Sequence, residues 1–301
     1  MIRSRIARIH ALDAGILFML FSALLSALNG AIAKSLGAEM SALEIVFWRN
    51  LAGMAMILLA LRHTPPSLPG GHPVLLLSRG LLGFSAMILF FYTITTIPLG
   101  EAITLNKTSP LFVTLLAFFL MGERLGPWGV LALFLGFLGV VFITQPWGLT
   151  VSRAHLMGLL GGFLAACAYA TIKRLRHLYD ARMIVLSFTA MGTAIPLLLF
   201  AVSGHWEAPE PLAFLFPPFQ WPQRVETWGL LVLLALTATL SQWLLTKAYT
   251  QGRAGIVGVV SYGNIPFAIG FGVALGDPLP DRWVWMGIAL IVGAGLLLKK
   301  G

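Results

Sequence analysis

The sequence predicts an all-α polytopic membrane protein, with ten transmembrane helices arranged as two inverted five-helix repeats. Three observations carry that expectation. The 301 residues are 58% hydrophobic and only 10% charged, against about 25% charged in an ordinary soluble chain. Ten apolar windows of about 20 residues, the length that crosses a bilayer, follow one another between turn-forming residues. The two halves of the chain also share a pattern at one fixed offset.

The windows fall at about 12–36, 41–61, 74–97, 101–121, 127–145, 155–177, 182–203, 227–250, 254–275 and 283–298. The first follows Arg3, Arg5 and Arg8 as a signal peptide would. Its apolar run from Ala14 to Leu28 is long for a cleaved signal, so it reads as the first span. "HTPPSLPGGHP", "IPLGE", "GERLGP", "QPWG" and "GDPLPDR" punctuate the later spans, and only the loop from His205 to Glu226 is long. Trp128, Trp147, Trp206, Trp221, Trp228, Trp283 and Trp285 gather at span ends, as an interfacial belt requires.

Ten spans put both termini on one side. That side holds Arg3, Arg5, Arg8, Arg62, Arg124, Lys173, Arg174, Arg176, Arg182, Lys247, Arg253, Lys299 and Lys300, thirteen of the 20 lysines and arginines. The opposite side holds Arg153, Arg224 and Arg282. The positive side faces the cytoplasm, so the expected location is a bacterial-type inner membrane with both termini cytoplasmic.

The composition also excludes. The net charge of +9 is spread over span ends, with no dense basic run for nucleic acid. Cys167 stands alone, which rules out disulfide frameworks and Cys-based metal sites. The histidines are scattered, so no catalytic constellation for a membrane transferase is visible, and neither enzyme activity nor a cofactor is expected. "GFGVALG" (270–276) imitates a nucleotide loop but lies inside a span with no strand before it.

The internal repeat pairs "LLSALNGAIAKSL" (24–36) with "FLAACAYATIKRL" (163–175) without gaps. The same offset of 139 pairs Gly53 with Gly192 and Ala55 with Ala194, and "GERL" (122–125) has a counterpart in "GDPL" (276–279). Five spans per half is an odd number, so the second copy must cross in the opposite sense. Residues 1–150 and 151–301 are the two expected repeats, together one transport unit, and inverted repeats characterise secondary transporters.

"FWRNLAGM" (47–54), "RGLLGF" (79–84) and "PLGEAITLNKTSPLFVTLLAFFLMGERLGPWGVLALFLGFLGVVFI" (98–143) resemble the EamA-type repeat of the drug/metabolite transporter superfamily. The diagnostic part is Pro110, the apolar run into Gly122-Glu123-Arg124-Leu125, and a Gly-rich fifth helix with Gly136 and Gly139. The second copy departs: Pro266 is nearer its Gly276, and Asp277-Pro278 replaces the Glu. The resemblance implies ten helices around a central cavity, alternating access, and small-metabolite substrates, often amino acids. Within it, size and aromatic content point to the YddG-type amino-acid exporters.

Every acidic residue lies in a loop or at a span end, so no carboxylate sits near the midplane where a proton-driven carrier would need one. Facilitated diffusion or exchange is therefore expected, although Glu44 or Glu101 could titrate from the outer end. Arg49 lies about 12 Å along the second helix and Lys107 about 9 Å along the fourth, where a charge costs about 2.5–3.5 kcal/mol. Each should face a cavity or partner: a structural network of carbonyls and Asn, or a substrate carboxylate. Lys34 and Arg79, nearer span ends, are expected to snorkel.

Uncharged polar residues form helical stripes: Ser22, Ser26 and Asn29; Thr104 and Thr108 beside Lys107; Ser85 and Tyr92; Thr239, Gln242, Trp243 and Thr246; Ser261 and Asn264 beside Tyr262. Each can line a wet cavity or bond a neighbouring helix. Tyr169, Trp48, Trp243 and Tyr262 can stack a substrate or pack. Pro110 and Pro266 leave the carbonyls of Asn106 and Tyr262 without a helical donor, marking helix breaks expected to serve in gating. The expected function is export of aromatic or hydrophobic amino acids. Uptake of a larger metabolite such as S-adenosylmethionine or riboflavin, and proton-coupled drug export, are the alternatives. The partners are a small-molecule substrate and the lipid bilayer, and the sequence leaves the oligomeric state open, a monomer being compatible with it.

Overall fold

A computed structural model describes residues 2–66, 68, 70–121, 126–145, 152–175, 177–206, 208–251 and 260–297. The helices are α1 (Ile2–Leu36), α2 (Ala42–His63), α3 (Pro73–Thr96), α4 (Leu99–Asn106), α5 (Ser109–Met121) and α6 (Pro127–Thr144). They continue with α7 (Arg153–Leu175), α8 (Ala181–Ser203), α9 (Val225–Gln251), α10 (Asn264–Ala274) and α11 (Arg282–Leu297). Short 3-10 helices cover Glu210–Leu215 and Ser261–Gly263. Among the described residues there is no strand, and seven helices are long and apolar enough to cross a membrane. The protein is an all-helical, multi-pass membrane protein. The Gly122–Leu125 motif lies outside the described residues.

The fourth window, expected as one span over 101–121, is two helices. Pro110 is the second residue of α5 and has no N–H to offer the Asn106 carbonyl. The chain turns at Lys107 and Thr108 instead: the Lys107 N–H bonds the Ile103 carbonyl at 3.0 Å, and the Thr108 N–H bonds Leu105 at 3.1 Å. The Thr108 hydroxyl donates to the same Leu105 carbonyl at 2.6 Å. Pro266 sits in the first turn of α10, where a missing N–H leaves nothing unsatisfied.

Glycines set the closest approaches. A Cβ on Gly162 of α7 would lie 2.8 Å from the Thr108 hydroxyl and 3.2 Å from the Leu105 carbonyl, so the bend rests on a bare stretch of helix. Gly158, one turn earlier, faces Thr93 and Leu105. In the seam between α6 and α11, Gly139 and Gly287 each approach the other's carbonyl, at 2.7 and 2.6 Å from the added Cβ. These contacts are backbone to backbone, as small-residue seams in membranes allow.

One end of the bundle is held by polar ties. Lys34, expected to snorkel, instead pairs with the Asp277 carboxylate at 2.5 Å and donates to the Ile97 carbonyl at 2.9 Å. The second oxygen of Asp277 accepts the Leu99 N–H at 2.8 Å. Lys34 turns inward because this carboxylate and carbonyl are both within its reach. Nearby, Glu39 accepts from Arg224 and Thr227, Glu44 accepts the Gln220 N–H while capping α2 through Ser41, and His155 meets Glu101 at 2.9 Å. At the opposite end, the Arg182 guanidinium and then its backbone N–H lower the Asp180 carboxyl to about 2.

Replacing Asp277 with Leu strands the Lys34 ammonium, so the thermal midpoint should drop by the equivalent of about 3 kcal/mol. The exchange Lys34→Asp with Asp277→Lys should recover part of it, and an unchanged midpoint in the single variant refutes the tie. The Thr227 hydroxyl holds the Glu39 carboxyl below its ordinary range, with Arg224 adding to it against the opposing effect of burial. Its folded value is depressed, so this tie is complete above the ordinary carboxylate range and lost as pH falls through the lowered value. Protection of Glu39→Gln against protease near Arg224 should therefore be less than wild type at neutral pH and equal to it in strong acid. Gly162→Leu overpacks the bend at a cost of about 1–3 kcal/mol; a wild-type melting curve would contradict the close approach.

Candidate functional site

The membrane interior holds cations without carboxylate partners. In α2, Trp48, Arg49 and Asn50 follow buried Phe47 on a helix anchored by its Ser41–Glu44 capping box. Asn50 is fully buried because α8 is bare at Gly192, where a Cβ would meet the Asn50 amide. Its Nδ2 donates to the Val46 carbonyl at 2.7 Å and lies 3.2 Å from the Met87 sulfur, while its Oδ1 is buried with no partner.

Arg49 is half-buried beside it. One Nη donates to the same Met87 sulfur at 3.3 Å, the guanidinium carbon stands 5.8 Å from the Phe91 ring centre, and Nε is buried and unpaired. A thioether is a weak acceptor. A guanidinium held by sulfur and an aromatic face has donors left over, in the fork geometry that matches a carboxylate or phosphate. Among the described residues no carboxylate pairs with it.

Lys107 is the second such cation. It stands half-buried at the bend between α4 and α5, and among the described residues no hydrogen bond or ion pair holds its ammonium. Arg79 is the third. Expected to snorkel, it packs inward over Phe188 of α8 at 5.4 Å, with Nε and one Nη buried and unpartnered. It can do so because Gly83, one turn on, leaves the space its guanidinium fills. Tyr169 of α7 lies close enough to Arg79 to interact electrostatically and keeps 52% of its surface exposed.

The other sequence-marked residues divide into groups. Ser26, Asn29 and Asn264 come together with α9: Asn29 donates to the Leu234 carbonyl at 2.7 Å and to Thr237 at 2.9 Å, and Asn264 reaches Ser26 at 3.3 Å. Ser22 and Ser241 exchange bonds one turn away. This stripe joins helices, and the buried Oδ1 of Asn264 lacks a partner in it. Thr104 and Thr108 are fully buried, each hydroxyl donating to its own helix, at Gly100 and Leu105. Ser85 is half-buried on α3, and Tyr92 packs on Phe214 at 4.5 Å. Gln242 and Trp243 are exposed on α9, with the Lys247 ammonium 5.6 Å from the Trp243 ring. Tyr262 covers Gly295 of α11, and Pro110 and Pro266 are exposed. Trp48 lies in an aromatic cluster with Trp221 and Trp228.

Sequence reasoning passed over Asn50 and Met87, although Asn50 directly follows Arg49. It also treated Glu101 and His155 as isolated ends, since nothing in their spacing of 54 residues shows that α4 and α7 bring them together.

Known proteins share this chain's pattern. The model of the EamA-like transporter family matches residues 13–145. The pseudopaline exporter CntI of Pseudomonas aeruginosa is 30% identical over 292 residues, covering 96% of this chain and 97% of that protein. A riboflavin transporter of Brucella anthropi is 26% identical over 257 residues, covering 85% and 87%. A solved structure titled only as the crystal structure of a protein shares the fold, with a TM-score of 0.60 and 22% identity over 95% of this chain and 96% of its own. The 30% identity with CntI over nearly the whole length of both chains, with the family pattern on residues 13–145, makes the chain a membrane transporter belonging to the EamA-like transporter family.

Proposed function

We propose that this transporter carries a small metabolite bearing a carboxylate, in the first instance an aromatic or hydrophobic amino acid. It works by alternating access between two inverted five-helix repeats, residues 1–150 and 151–301, of ten spans in all. The observation that carries this reading is Arg49, a half-buried guanidinium with donors to spare and no acidic partner among the described residues. Lys107 supplies a second cation at the bend, and Tyr169 and Trp243 offer exposed aromatic surface. Thr104 and Thr108 hold the backbone beside Lys107, and Asn29, Ser26, Ser85, Tyr92, Gln242, Tyr262 and Asn264 are the remaining candidates for contact.

The cationic side is the cytoplasmic one, in an inner membrane, which puts the Lys34–Asp277 and Glu101–His155 ties on the outer side. Each of those pairs joins the first half to the second, so both must part for a substrate to leave outward. Pro110 and Pro266 mark the two places where a helix can bend as they do. A second reading, a larger metabolite, draws on relatives named for pseudopaline and riboflavin.

Flux into proteoliposomes of labelled aromatic and aliphatic amino acids, riboflavin and S-adenosylmethionine separates the readings. Amino-acid flux should persist when the pH gradient is collapsed; its disappearance would reject facilitated diffusion, and flux of riboflavin alone would select the second reading. Arg49→Gln should cut flux by about tenfold or more, as loss of a charge-assisted contact does, while Arg49→Lys should retain part of it. Wild-type kinetics in folded Arg49→Gln and Lys107→Ala would remove both residues from the site.

A further inference from the structure

At the Asp180 end a cavity of about 590 Å³ opens between the start of α3 and the end of α7. It is apart from Arg49 and Lys107 and shares no residue with the transport site described above. Its polar wall carries Arg174, His72 and His177, all exposed, and its apolar wall carries Val74 and Leu75. Two straps fix those walls: the Gly70 N–H bonds the Leu178 carbonyl at 2.9 Å, and the Gly71 N–H bonds the Tyr179 hydroxyl at 3.3 Å. Gly70 has φ +82°, a conformation that glycine adopts without strain, so this strap depends on it.

The chemistry of the polar wall is anion-receptive. Among the described residues no carboxylate pairs with Arg174. The His72 imidazole has a ring N–H donor in either protonation state. The first turn of α3 opens on the same cavity, with His72 at its N-cap making no side-chain cap and Pro73 next, so uncapped backbone donors add their partial positive charge. The volume is that of a site for a small organic ligand.

The neighbouring surface decides what kind of anion. On α3, Val74, Leu77 and Leu81 are 79%, 52% and 50% exposed and recur at i, i+3 and i+7. They form one apolar stripe that begins at the cavity and runs along a membrane-spanning helix. A ligand seated by its phosphate at Arg174 therefore has a continuous hydrocarbon-facing track beside it. A soluble anion would use the first feature and ignore the second.

We propose that this cavity binds the phosphate headgroup of an anionic phospholipid from the adjoining leaflet, with an acyl chain along Val74, Leu77 and Leu81. Basic pockets between helices at the cytoplasmic face take anionic headgroups by this combination of charge and depth.

Native mass spectrometry of the full chain in detergent tests it, with phosphatidylglycerol, phosphatidylcholine or inorganic phosphate added. Phosphatidylglycerol adducts should exceed phosphatidylcholine adducts, and Arg174→Gln should reduce them about fivefold, the worth of one surface cation at an anionic membrane. Arg174→Lys should restore most of the adduct, and both variants should melt with wild type in lipid-free detergent because the side chain is exposed. Equal adducts with both lipids, or an unchanged count in folded Arg174→Gln, overturn the proposal. Full displacement of the lipid by millimolar inorganic phosphate also overturns it, by showing a site for the free anion. None of these readings depends on which substrate is transported.

Discussion

The carboxylate of Asp277 is the constraint around which this structure is arranged. Its two oxygens bind the end of α1 through Lys34 and the start of α4 through the Leu99 N–H. Asp277 itself follows α10, so one side chain joins three elements drawn from both halves of the chain. Burial sharpens the dependence, because Lys34 and Asp277 are only 18% and 12% exposed. Charges so placed must be paired or hydrogen-bonded in full. Here the ammonium also takes the Ile97 carbonyl, so the α3–α4 turn is drawn into the same knot.

From that knot the interior follows. With α4 anchored at its first residue, the chain has eight helical residues before Pro110 forces the turn at Lys107. The turn must lie against a helix without side chains, and α7 supplies Gly162 there. The bend in turn delivers Lys107 into the interior without a carboxylate. Arg49 reaches a comparable state by another route, sharing the Met87 sulfur with Asn50, which is itself seated against Gly192. Lys107 and Arg49, like Arg79, thus remain short of partners among the described residues.

Much of the fold could be read from the chain, because bilayer thickness converts directly into apolar length and turn residues mark the ends. The break at Pro110 was legible too, since the ring nitrogen has no proton whatever its surroundings. The Gly-rich helix with Gly136 and Gly139 was visible as composition, and the close approaches at those positions agree. Partnerships across hundreds of residues were not legible. The separation of 219 positions from Ser22 to Ser241, or the gap from Lys34 to Asp277, contains no local signal, and only packing puts those groups in reach. Lys34 and Arg79 show the limit plainly: snorkelling follows from a helix end alone, whereas an inward turn depends on what the neighbouring helix offers.

The α6–α11 seam has a mechanical meaning. Side chains that interlock can exchange rotamers and let two helices slide or swivel while staying in contact. Gly139 and Gly287 meet through main-chain atoms, which have no rotamers to exchange. At that level the pair is a strut with no bearing in it: it holds or it separates. Give in this bundle therefore has to come from elsewhere, and the two-residue bend before Pro110 is a place where the helical ladder is already interrupted.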